Sequence, residues 1–452
     1  MDSFQLSKLQ WDCIVESTNE CSYEEVRGLR SRLFLDINRT HSFISMLKHI
    51  FKLAISMFQI PEKRIVIEQT KKILFYLPYN TGANINSMIP IIKSIKEIDA
   101  NAEIIKTRKL PFYDDALEKE SIINMLGYID RLKNLLLALK ATTELINILK
   151  NNGGSLPILY DVILYNLYVI FASQCVFSKV LSGSNINKVV SSSDYFPIDY
   201  ALFASAKKCK IQTFVVQHGI VSLSFFPFTA DKIFVYGEYA RQEMLKYGCE
   251  DSRIIKAGMP STDLLFSQHS RNENLGIIPR NRVLILSETQ GDVLFPDVYA
   301  SYAKILLALV KNTPDWEFSI KLHPSETDSF YMVQDFEKYK NLKILSKSTS
   351  LIEAFQHADI ALTIWSTAGL EAMAFGLPLI VIDSTNEVVN YAWWPKEGGG
   401  MFLSEIKEKY GLTMDIPSPV FADIRANQEK FLNKYFSNRG SAAEYIGDIV
   451  EV

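Results

Sequence analysis

Residues 318–324 read FSIKLHP, and residues 359–372 read DIALTIWSTAGLEA. Each stretch starts with a short apolar run of the kind that forms a buried strand, and polar residues follow that run at once. In an open parallel sheet, ligands bind outside the carboxyl ends of the strands. We therefore expect His323 and the hydroxyls of Ser366 and Thr367 to meet at one crevice.

The second stretch also opens a helix, whose backbone N–H groups and positive dipole end suit a phosphate. Ser366 and Thr367 can donate to phosphate oxygens or cap this helix, and the two roles can coexist. His323, aimed by Pro324, can pair with a phosphate as an imidazolium. Glu371, one turn into the helix, accepts ribose hydroxyls or pairs with a cation. Together these residues predict a pocket for a nucleotide mono- or diphosphate.

Apolar runs alternate with helical periodicity along most of the chain. This rhythm predicts an α/β protein with two Rossmann-like doubly wound domains. The predicted strands of the first half lie at 72–77, 102–105, 188–191, 212–216, 232–236 and 253–256, and those of the second half at 282–286, 318–322, 342–345, 359–363 and 379–382.

The domain boundaries follow from the same rhythm. Residues 1–68 predict a helical extension, and residues 69–268 predict an N-terminal Rossmann-like domain. Residues 280–425 predict a C-terminal Rossmann-like domain that carries the nucleotide pocket, and residues 426–452 predict helices that pack back on the domains. The polar, irregular stretch around 266–280 is interpreted as the linker.

Strand ends of the first domain supply the candidates for acid–base chemistry. His218 lies between Gln217 and Gly219 at a strand end, where a histidine serves as a general base or orders the turn. Asp194 follows another strand, where a carboxylate removes a proton, orients His218 or caps the next helix. Glu238 follows a third strand and is placed, with Gln217 and Gly219, at the crevice of the first domain.

Two glycine-containing loops of the second domain are weaker candidates. Ser287, Glu288, Thr289 and Gln290 follow its first strand, where a polar loop holds a phosphate or the donor sugar, or is an ordinary loop. The glycine run 398–400 predicts a mobile flap.

Composition excludes several classes of protein. The 452-residue chain has 48% hydrophobic and 22% charged residues, which is typical of globular domains, and its net charge of −3 gives no reason to expect nucleic-acid binding. The five cysteines form no CxxC or Cys/His cluster, so we expect no metal site and a reducing cytoplasm. The N-terminus lacks the features of a signal peptide.

Two apolar stretches bear on membranes. The stretch 156–180 is interrupted by polar residues, which favours a buried helix over a transmembrane span. The stretch 46–53 mixes lysine with large apolar residues and lies either on a membrane surface or in a helical bundle.

At these motifs the chain resembles the GT-B glycosyltransferases of bacterial capsule and lipopolysaccharide synthesis. It is most similar to enzymes that use CMP-activated acidic sugars, the sialyl- and Kdo-transferases, whose His-Pro and Ser-Ser/Ser-Thr motifs correspond to His323-Pro324 and Ser366-Thr367. The Gln217-His218-Gly219 element also resembles the His-Gly element of CDP-glycerol and CDP-ribitol polymerases. The resemblance covers roughly residues 71–405. It lacks the acidic base motif of the sialyltransferases, for which Asp194 is the nearest counterpart.

The resemblance implies two domains facing across a cleft and metal-independent transfer with no cofactor. It assigns the acceptor to the domain at 69–268, with Gln217, Gly219 and Glu238 on the acceptor side of the cleft, and the nucleotide donor to the domain at 280–425. The donor would be a nucleotide-activated sugar, CMP-linked, and the acceptor a glycan or glycolipid at the cell surface. It implies a cytoplasmic enzyme with peripheral contact at the inner face of the cytoplasmic membrane, and the N-terminal helices offer a surface for a homo-oligomer. The alternatives are a CDP-polyol phosphotransferase, a nucleotide-sugar epimerase and a catalytically silent scaffold subunit on the same fold.

Overall fold

The computed structural model describes residues 14, 16–29, 43–58, 67, 69–77, 82–95, 102–106, 126–151, 160–221, 226, 228–272, 281–287, 296–323, 326, 336–346, 348–411 and 418–452. The chain divides into two units. Unit 1 takes the chain up to Val235 and adds Tyr239–Lys256 and Glu444–Val452. Unit 2 consists of Tyr236–Glu238 and Ala257–Ala443.

Unit 1 is built on a six-stranded sheet of order β2-β1-β3-β4-β5-β6, in which all neighbours are parallel. Its strands are short and apolar, as expected for a sheet buried on both faces. The strands are β1 (Ile73–Leu77), β2 (Ala102–Lys106), β3 (Lys188–Ser191), β4 (Gln212–Val216), β5 (Lys232–Val235) and β6 (Ile254–Lys256). The helices are α1 (Phe43–Phe58), α2 (Gly82–Ser94), α3 (Tyr128–Asn151), α4 (Tyr160–Ser182), α5 (Pro197–Lys208) and α6 (Glu238–Lys246).

Helix α4 lies at the centre of the unit 1 core. Residues 162–182 are long and apolar enough to span a membrane, but 78% of the most apolar window is buried inside the unit. Ile14, Val26 and Leu29 belong to the same apolar cluster as α4. The predicted extension 1–68 is therefore joined to unit 1 by a shared core in its described residues.

Unit 2 is built on a second all-parallel sheet, of order β12-β11-β10-β7-β8-β9. Its strands are β7 (Arg282–Leu286), β8 (Glu317–Lys321), β9 (Leu342–Ile344), β10 (Ile360–Thr363), β11 (Leu379–Val381) and β12 (Met401–Phe402). Its helices are α7 (Asp263–Asn272), α8 (Pro296–Asn312), α9 (Leu351–Gln356), α10 (Thr367–Phe375), α11 (Asn386–Tyr391), α12 (Leu403–Tyr410) and α13 (Ser418–Tyr435), and α14 (Ala442–Glu451) begins there and ends in unit 1. The eleven apolar runs all form strands, whereas the two-residue β12 was not predicted.

The division between the units differs from the predicted linker. It falls between Lys256 and Ala257, and the stretch predicted to be irregular forms helix α7 as far as Asn272. The Asp263 carboxylate accepts hydrogen bonds from the backbone N–H groups of Ala442 and Ala443, at 3.0 and 2.8 Å. This bond pair ties α7 to the start of α14, and residues 273–280 of the predicted linker lie outside the described residues.

The glycine run 398–400 is packed. A Cβ on Gly399 would lie 3.0 Å from Trp394 Cβ and 3.1 Å from the Phe431 ring, and Gly400 has φ +115° against the backbone of Leu379. Glycine is needed here for close approach, which argues against the predicted mobile flap.

Two glycines with positive φ allow the energetic cost of backbone strain to be distinguished from that of steric overlap. Gly258 has φ +93°, and a Cβ there would overlap the Ser437 carbonyl oxygen and lie 2.8 Å from Ala442 Cβ. Gly248 has φ +89° with nothing within 4 Å of its Cβ position. We expect Gly248→Ala to lower the free energy of unfolding by about 1 kcal/mol, and Gly258→Ala by about 3 kcal/mol because overpacking adds to the strain. Urea denaturation measures both, and equal losses would contradict the assigned contact.

Candidate functional site

The unit 2 sheet reverses its strand order between β7 and β10. The chain passes from β7 to β8 and β9 on one side, then returns to β10 on the other. Ligands bind at such a switch point, outside the carboxyl ends of the strands. Ser287 follows β7, His323 follows β8 and Ser366 follows β10. The structure therefore brings the two predicted motifs to one edge, with Ser287 between them.

Ser366 shapes the start of α10. Its Oγ accepts a hydrogen bond from the Ala368 N–H at 3.3 Å, and its own N–H donates to Thr363 Oγ1 at 3.1 Å. Capping uses a lone pair of Oγ, so the hydroxyl hydrogen can still be donated to an anion. Thr367 is the first helical residue and is partly exposed at the positive end of the helix dipole.

Glu326 connects the loop after β8 to the end of β7. Its two carboxyl oxygens accept hydrogen bonds from Ser287 Oγ at 2.9 Å and from the His323 N–H at 3.1 Å. Only 4% of Glu326 is exposed. Sequence reasoning missed this residue, although an acidic side chain three residues after the histidine was the available signal. Ser287 donates to a carboxylate, so it offers a ligand lone pairs more readily than a proton.

The pKa of His323 is lowered, first by burial and then by the nearby charge of Lys321. At neutral pH the ring is therefore more often neutral than an ordinary histidine. The expected imidazolium–phosphate pair requires that the phosphate itself draws a proton onto the ring.

Glu371 lies inside unit 2, one turn into α10. Burial raises its pKa to about 7, and the hydroxyl of Ser261 partly opposes this shift. Tyr236 is a second polar neighbour, close enough for the Glu371 charge to raise the pKa of its phenol. The carboxyl therefore exchanges its proton near neutral pH, and no cation partner of the kind first considered is seen among the described residues.

Four predicted donor-site residues lie outside the described residues. They are Glu288, Thr289, Gln290 and Pro324.

The unit 1 sheet has its own switch point, between β1 and β3. Residues 192–194 follow β3, and Gln217, His218 and Gly219 follow the adjacent β4. The Gln217 amide donates to the Gly219 carbonyl oxygen at 2.8 Å, which closes the turn that presents His218. None of the described residues lies within 4 Å of the Cβ position of Gly219, so they leave space open there.

His218 is held as a neutral tautomer with hydrogen on Nδ1. Nδ1 lies 2.6 Å from the carbonyl oxygen of Ser192, which can only accept, so Nδ1 donates and Nε2 carries the lone pair. The hydroxyl of Tyr195 lies 3.4 Å from Nε2. Burial lowers the pKa of His218 to about 4, with the Ser192 carbonyl opposing the shift. The ring is a neutral proton acceptor throughout the physiological pH range.

Asp194 does not orient His218, since the Ser192 carbonyl does so. Asp194 Oδ2 accepts hydrogen bonds from the backbone N–H groups of Thr229 and Ala230, at 2.5 and 2.8 Å. It also does not cap the next helix, whose N-cap is Phe196. Burial raises the pKa of Asp194 to about 6. Its role as the base stays a prediction, but its 1% exposure favours His218.

A second buried carboxyl lies behind this edge. Asp199, in the first turn of α5, is fully buried, and neither of its oxygens has a well-aligned hydrogen-bond partner among the described residues. The Ser193 hydroxyl lies beside it. Burial raises the pKa of Asp199 well above its usual range, which favours the protonated form. The sequence placed Asp199 within a helix and offered no signal for this environment.

Glu238 is the first residue of α6 and is grouped with unit 2, whereas Gln217 and Gly219 lie in unit 1. Its assignment to the acceptor side stays a prediction. The described residues contain no group of three or more His, Cys, Asp or Glu side chains that could hold a metal ion. Metal-independent chemistry likewise stays a prediction.

No protein-family model matches the chain, and no curated protein matches it. Solved structures do. S. aureus MnaA with UDP is 14% identical and has a TM-score of 0.52, and the match covers 84% of this chain and 96% of that one. A putative UDP-N-acetylglucosamine 2-epimerase from Listeria monocytogenes is 15% identical with a TM-score of 0.51, covering 85% and 96%. The UDP-GlcNAc 2-epimerase from Neisseria meningitidis bound to UDP-GlcNAc is 14% identical with a TM-score of 0.51, covering 84% and 99%.

The chain has the fold of these proteins. The predicted α/β class with two parallel-sheet domains is thereby confirmed. At this level of identity the likeness concerns the fold alone.

The buried carboxyl of Glu371 makes stability depend on pH. The folded pKa is about 7 and the unfolded value is 4.5. Between these values the folded state binds a proton that the unfolded state has lost, so the free energy of unfolding falls as pH rises. We expect Glu371→Gln to match the wild type at pH 4 and to be more stable at pH 8, by up to about 3 kcal/mol. Urea titrations at both pH values measure this difference. Glu353→Gln, at an exposed carboxylate of the same unit, is the control and should show no such divergence.

His218 should titrate far below an ordinary histidine. Removal from water disfavours the imidazolium, so its proton resonances should shift with a midpoint near pH 4 rather than 6.5. Histidine NMR spectra between pH 3.5 and 8 test this, with the signal assigned by its loss in His218→Asn. A midpoint above pH 6 would show that the ring is not enclosed as described.

Proposed function

We propose that this protein is a nucleotide-sugar-dependent glycosyltransferase whose unit 2 binds the nucleotide of the donor. One observation supports this above all. Ser287, His323, Ser366 and the N-terminus of α10 lie together at the strand-order reversal of the unit 2 sheet. Backbone N–H groups, hydroxyls and an imidazole at such a point are the groups that bind phosphate.

Hydrogen bonding favours one side of this edge for the phosphate. Glu326 accepts hydrogen bonds from Ser287 Oγ and from the His323 N–H, so these two donors are already engaged. The phosphate is therefore assigned to the α10 side, with Ser366 and Thr367 as donors and His323 as a donor that gains a proton on binding. Glu371 lies four residues after Thr367, on the same face of α10. Its carboxyl is assigned to the ribose hydroxyls.

The proposed step is a substitution at the anomeric carbon of the donor sugar. The acceptor oxygen forms the new bond, and the bond from that carbon to the nucleotide phosphate oxygen breaks with its electron pair going to the phosphate. The acceptor proton goes to Nε2 of His218, which carries a lone pair because Nδ1 donates to the Ser192 carbonyl. Stabilising the departing phosphate by the donors at α10 is expected to be the largest catalytic contribution.

The finer assignments rest on separate observations. The motif pattern of His323-Pro324 and Ser366-Thr367 supports a CMP-linked acidic sugar and a cell-surface glycan or glycolipid acceptor. The fold shared with structures that contain UDP or UDP-GlcNAc supports a uridine nucleotide. The free thiols of Cys21, Cys175, Cys209 and Cys249 support a cytoplasmic location.

A second candidate is a nucleotide-sugar 2-epimerase. The named activity of the Listeria and Neisseria structures favours it. Inverting a carbon centre requires a proton to leave one face and return on the other, so two acid–base groups are needed. In unit 1, His218 and the buried carboxyls of Asp194 and Asp199 are the candidates for such a pair.

The first experiment is a thermal-shift panel with CMP, CDP, UDP, GDP and ADP. A nucleotide at 100 times its dissociation constant adds about 2.7 kcal/mol to the free energy of unfolding. We expect one pyrimidine nucleotide to raise the melting temperature. The rise should be lost in His323→Ala and reduced in Ser366→Ala. His357→Ala, at an exposed histidine of unit 2, should keep it.

The outcomes separate the candidates. Stabilisation by CMP that His323→Ala loses supports the acidic-sugar donor, whereas preference for UDP overturns it. No stabilisation by any nucleotide contradicts the proposed donor site. If UDP binds, incubation with UDP-GlcNAc in the absence of an acceptor, followed by NMR, decides the reaction. Formation of the C2 epimer replaces the transferase with the epimerase.

A further inference from the structure

Tyr195 lies beside the nitrogen that the proposed base uses. Its hydroxyl is 3.4 Å from Nε2 of His218, and the two rings are stacked with their centroids 6.3 Å apart and 15° between their planes. The Tyr195 ring also packs on Phe196, with the centroids 4.6 Å apart. Both Tyr195 and His218 are partly exposed, so a substrate can reach them.

The direction of the hydrogen bond between the two side chains follows from the other ring nitrogen. Nδ1 of His218 donates its hydrogen to the carbonyl oxygen of Ser192, so Nε2 of the neutral ring can only accept. The hydroxyl of Tyr195 is therefore the donor. Catalytic hydrogen bonds are often long before a substrate binds, so a separation of 3.4 Å is compatible with proton transfer along this contact.

The lone pair of Nε2 is thereby directed at the phenol. A substrate hydroxyl can use this lone pair only by displacing the phenol or by passing its proton through it. The ring contacts with His218 and Phe196 oppose displacement of Tyr195. The phenol oxygen has lone pairs of its own, so it can accept a proton while its own proton moves to Nε2.

The surroundings of the phenol prevent it from acting as a base by itself. Although part of the side chain is exposed, removal of water from the phenol raises its pKa, and the nearby carboxyls of Asp199 and Asp194 raise it further. The hydroxyl of Ser193 opposes the shift. A free phenolate is therefore not available at physiological pH. Tyr195 can take up a proton only as it gives up its own, which is the behaviour of a relay.

We propose that Tyr195 is a further catalytic residue, which relays the proton of the acceptor hydroxyl to His218. The acceptor O–H bond breaks, its proton binds the phenol oxygen, and its electron pair forms the bond to the anomeric carbon. The phenol O–H bond breaks at the same time, and that proton binds Nε2. The phenol ends as it began, and the imidazole becomes an imidazolium. This inference rests on the proposed function, in which His218 is the base.

The contact itself is tested by histidine NMR of the full chain. A hydrogen bond from the phenol stabilises the neutral imidazole, so its loss in Tyr195→Phe should raise the pKa of His218. We expect the midpoint to rise from about 4 in the wild type to about 5 in the variant. Tyr247→Phe, at a partly exposed tyrosine of unit 1 that packs on Phe226, is the matched control and should leave the midpoint unchanged. An unchanged midpoint in Tyr195→Phe overturns the proposal.

The relay is tested by the rate of nucleotide release from UDP-GlcNAc and from CMP-sialic acid, with water as the acceptor. Tyr195→Phe should release nucleotide at least about tenfold more slowly than the wild type. It should keep the melting-temperature rise that the nucleotide gives, because Tyr195 lies in unit 1 and the proposed donor site in unit 2. Tyr195→Phe combined with His218→Asn should be no slower than His218→Asn alone, since residues that act as one unit have non-additive effects.

The outcomes separate the relay from the proposed function. Equal rates in Tyr195→Phe and the wild type, or losses that multiply in the double variant, overturn the relay and leave His218 as the base. A rate that His218→Asn does not slow shows that His218 is not the base, which contradicts the proposed function and the relay together. Absence of release from both donors also contradicts the proposed function, whereas the NMR midpoint still decides whether Tyr195 donates to His218.

Discussion

All strands of each sheet run parallel, and this constraint governs where chemistry can occur in the molecule. Every strand ends at the same edge, and both faces of the sheet are buried. The polar residues that follow the strands therefore all lie at that edge. In unit 2 this edge carries Ser287, His323 and Ser366, and in unit 1 it carries Asp194 and His218.

Burial shifts the titratable groups at both edges toward their neutral forms. The pKa of His218 falls, and the pKa values of Asp194 and Glu371 rise, with removal from water as the largest cause in each case. Because burial favours the neutral forms of these groups, the main attraction for an anion at the edge of unit 2 comes from the α10 dipole and the hydroxyls. A bound phosphate would then change the proton content of its own site, through His323 and Glu371.

Short backbone contacts, rather than ion pairs, set the geometry of the candidate residues. The Ser192 carbonyl selects the tautomer of His218, and the backbone of Thr229 and Ala230 holds Asp194. In unit 2 the geometry is set by the Glu326 side chain, which accepts hydrogen bonds from the His323 N–H and from the Ser287 hydroxyl. Apart from the contact between Glu326 and the His323 N–H, these contacts join residues that are distant from one another in sequence.

The local pattern of the chain was enough to determine the strands, the parallel α/β class and the two motifs at the edge of unit 2, because apolar periodicity and strand-end polarity are local properties. It also identified His218 as a histidine at the carboxyl end of a strand. The tertiary structure alone decided that Asp194 accepts hydrogen bonds from the backbone of Thr229 and Ala230, and that burial raises the pKa of Asp199. It also decided that Glu326 joins the loop after β8 to Ser287, and that residues 263–272 are helical. Those outcomes depend on which distant groups arrive beside a residue and how much water they displace, and no local pattern carries that information.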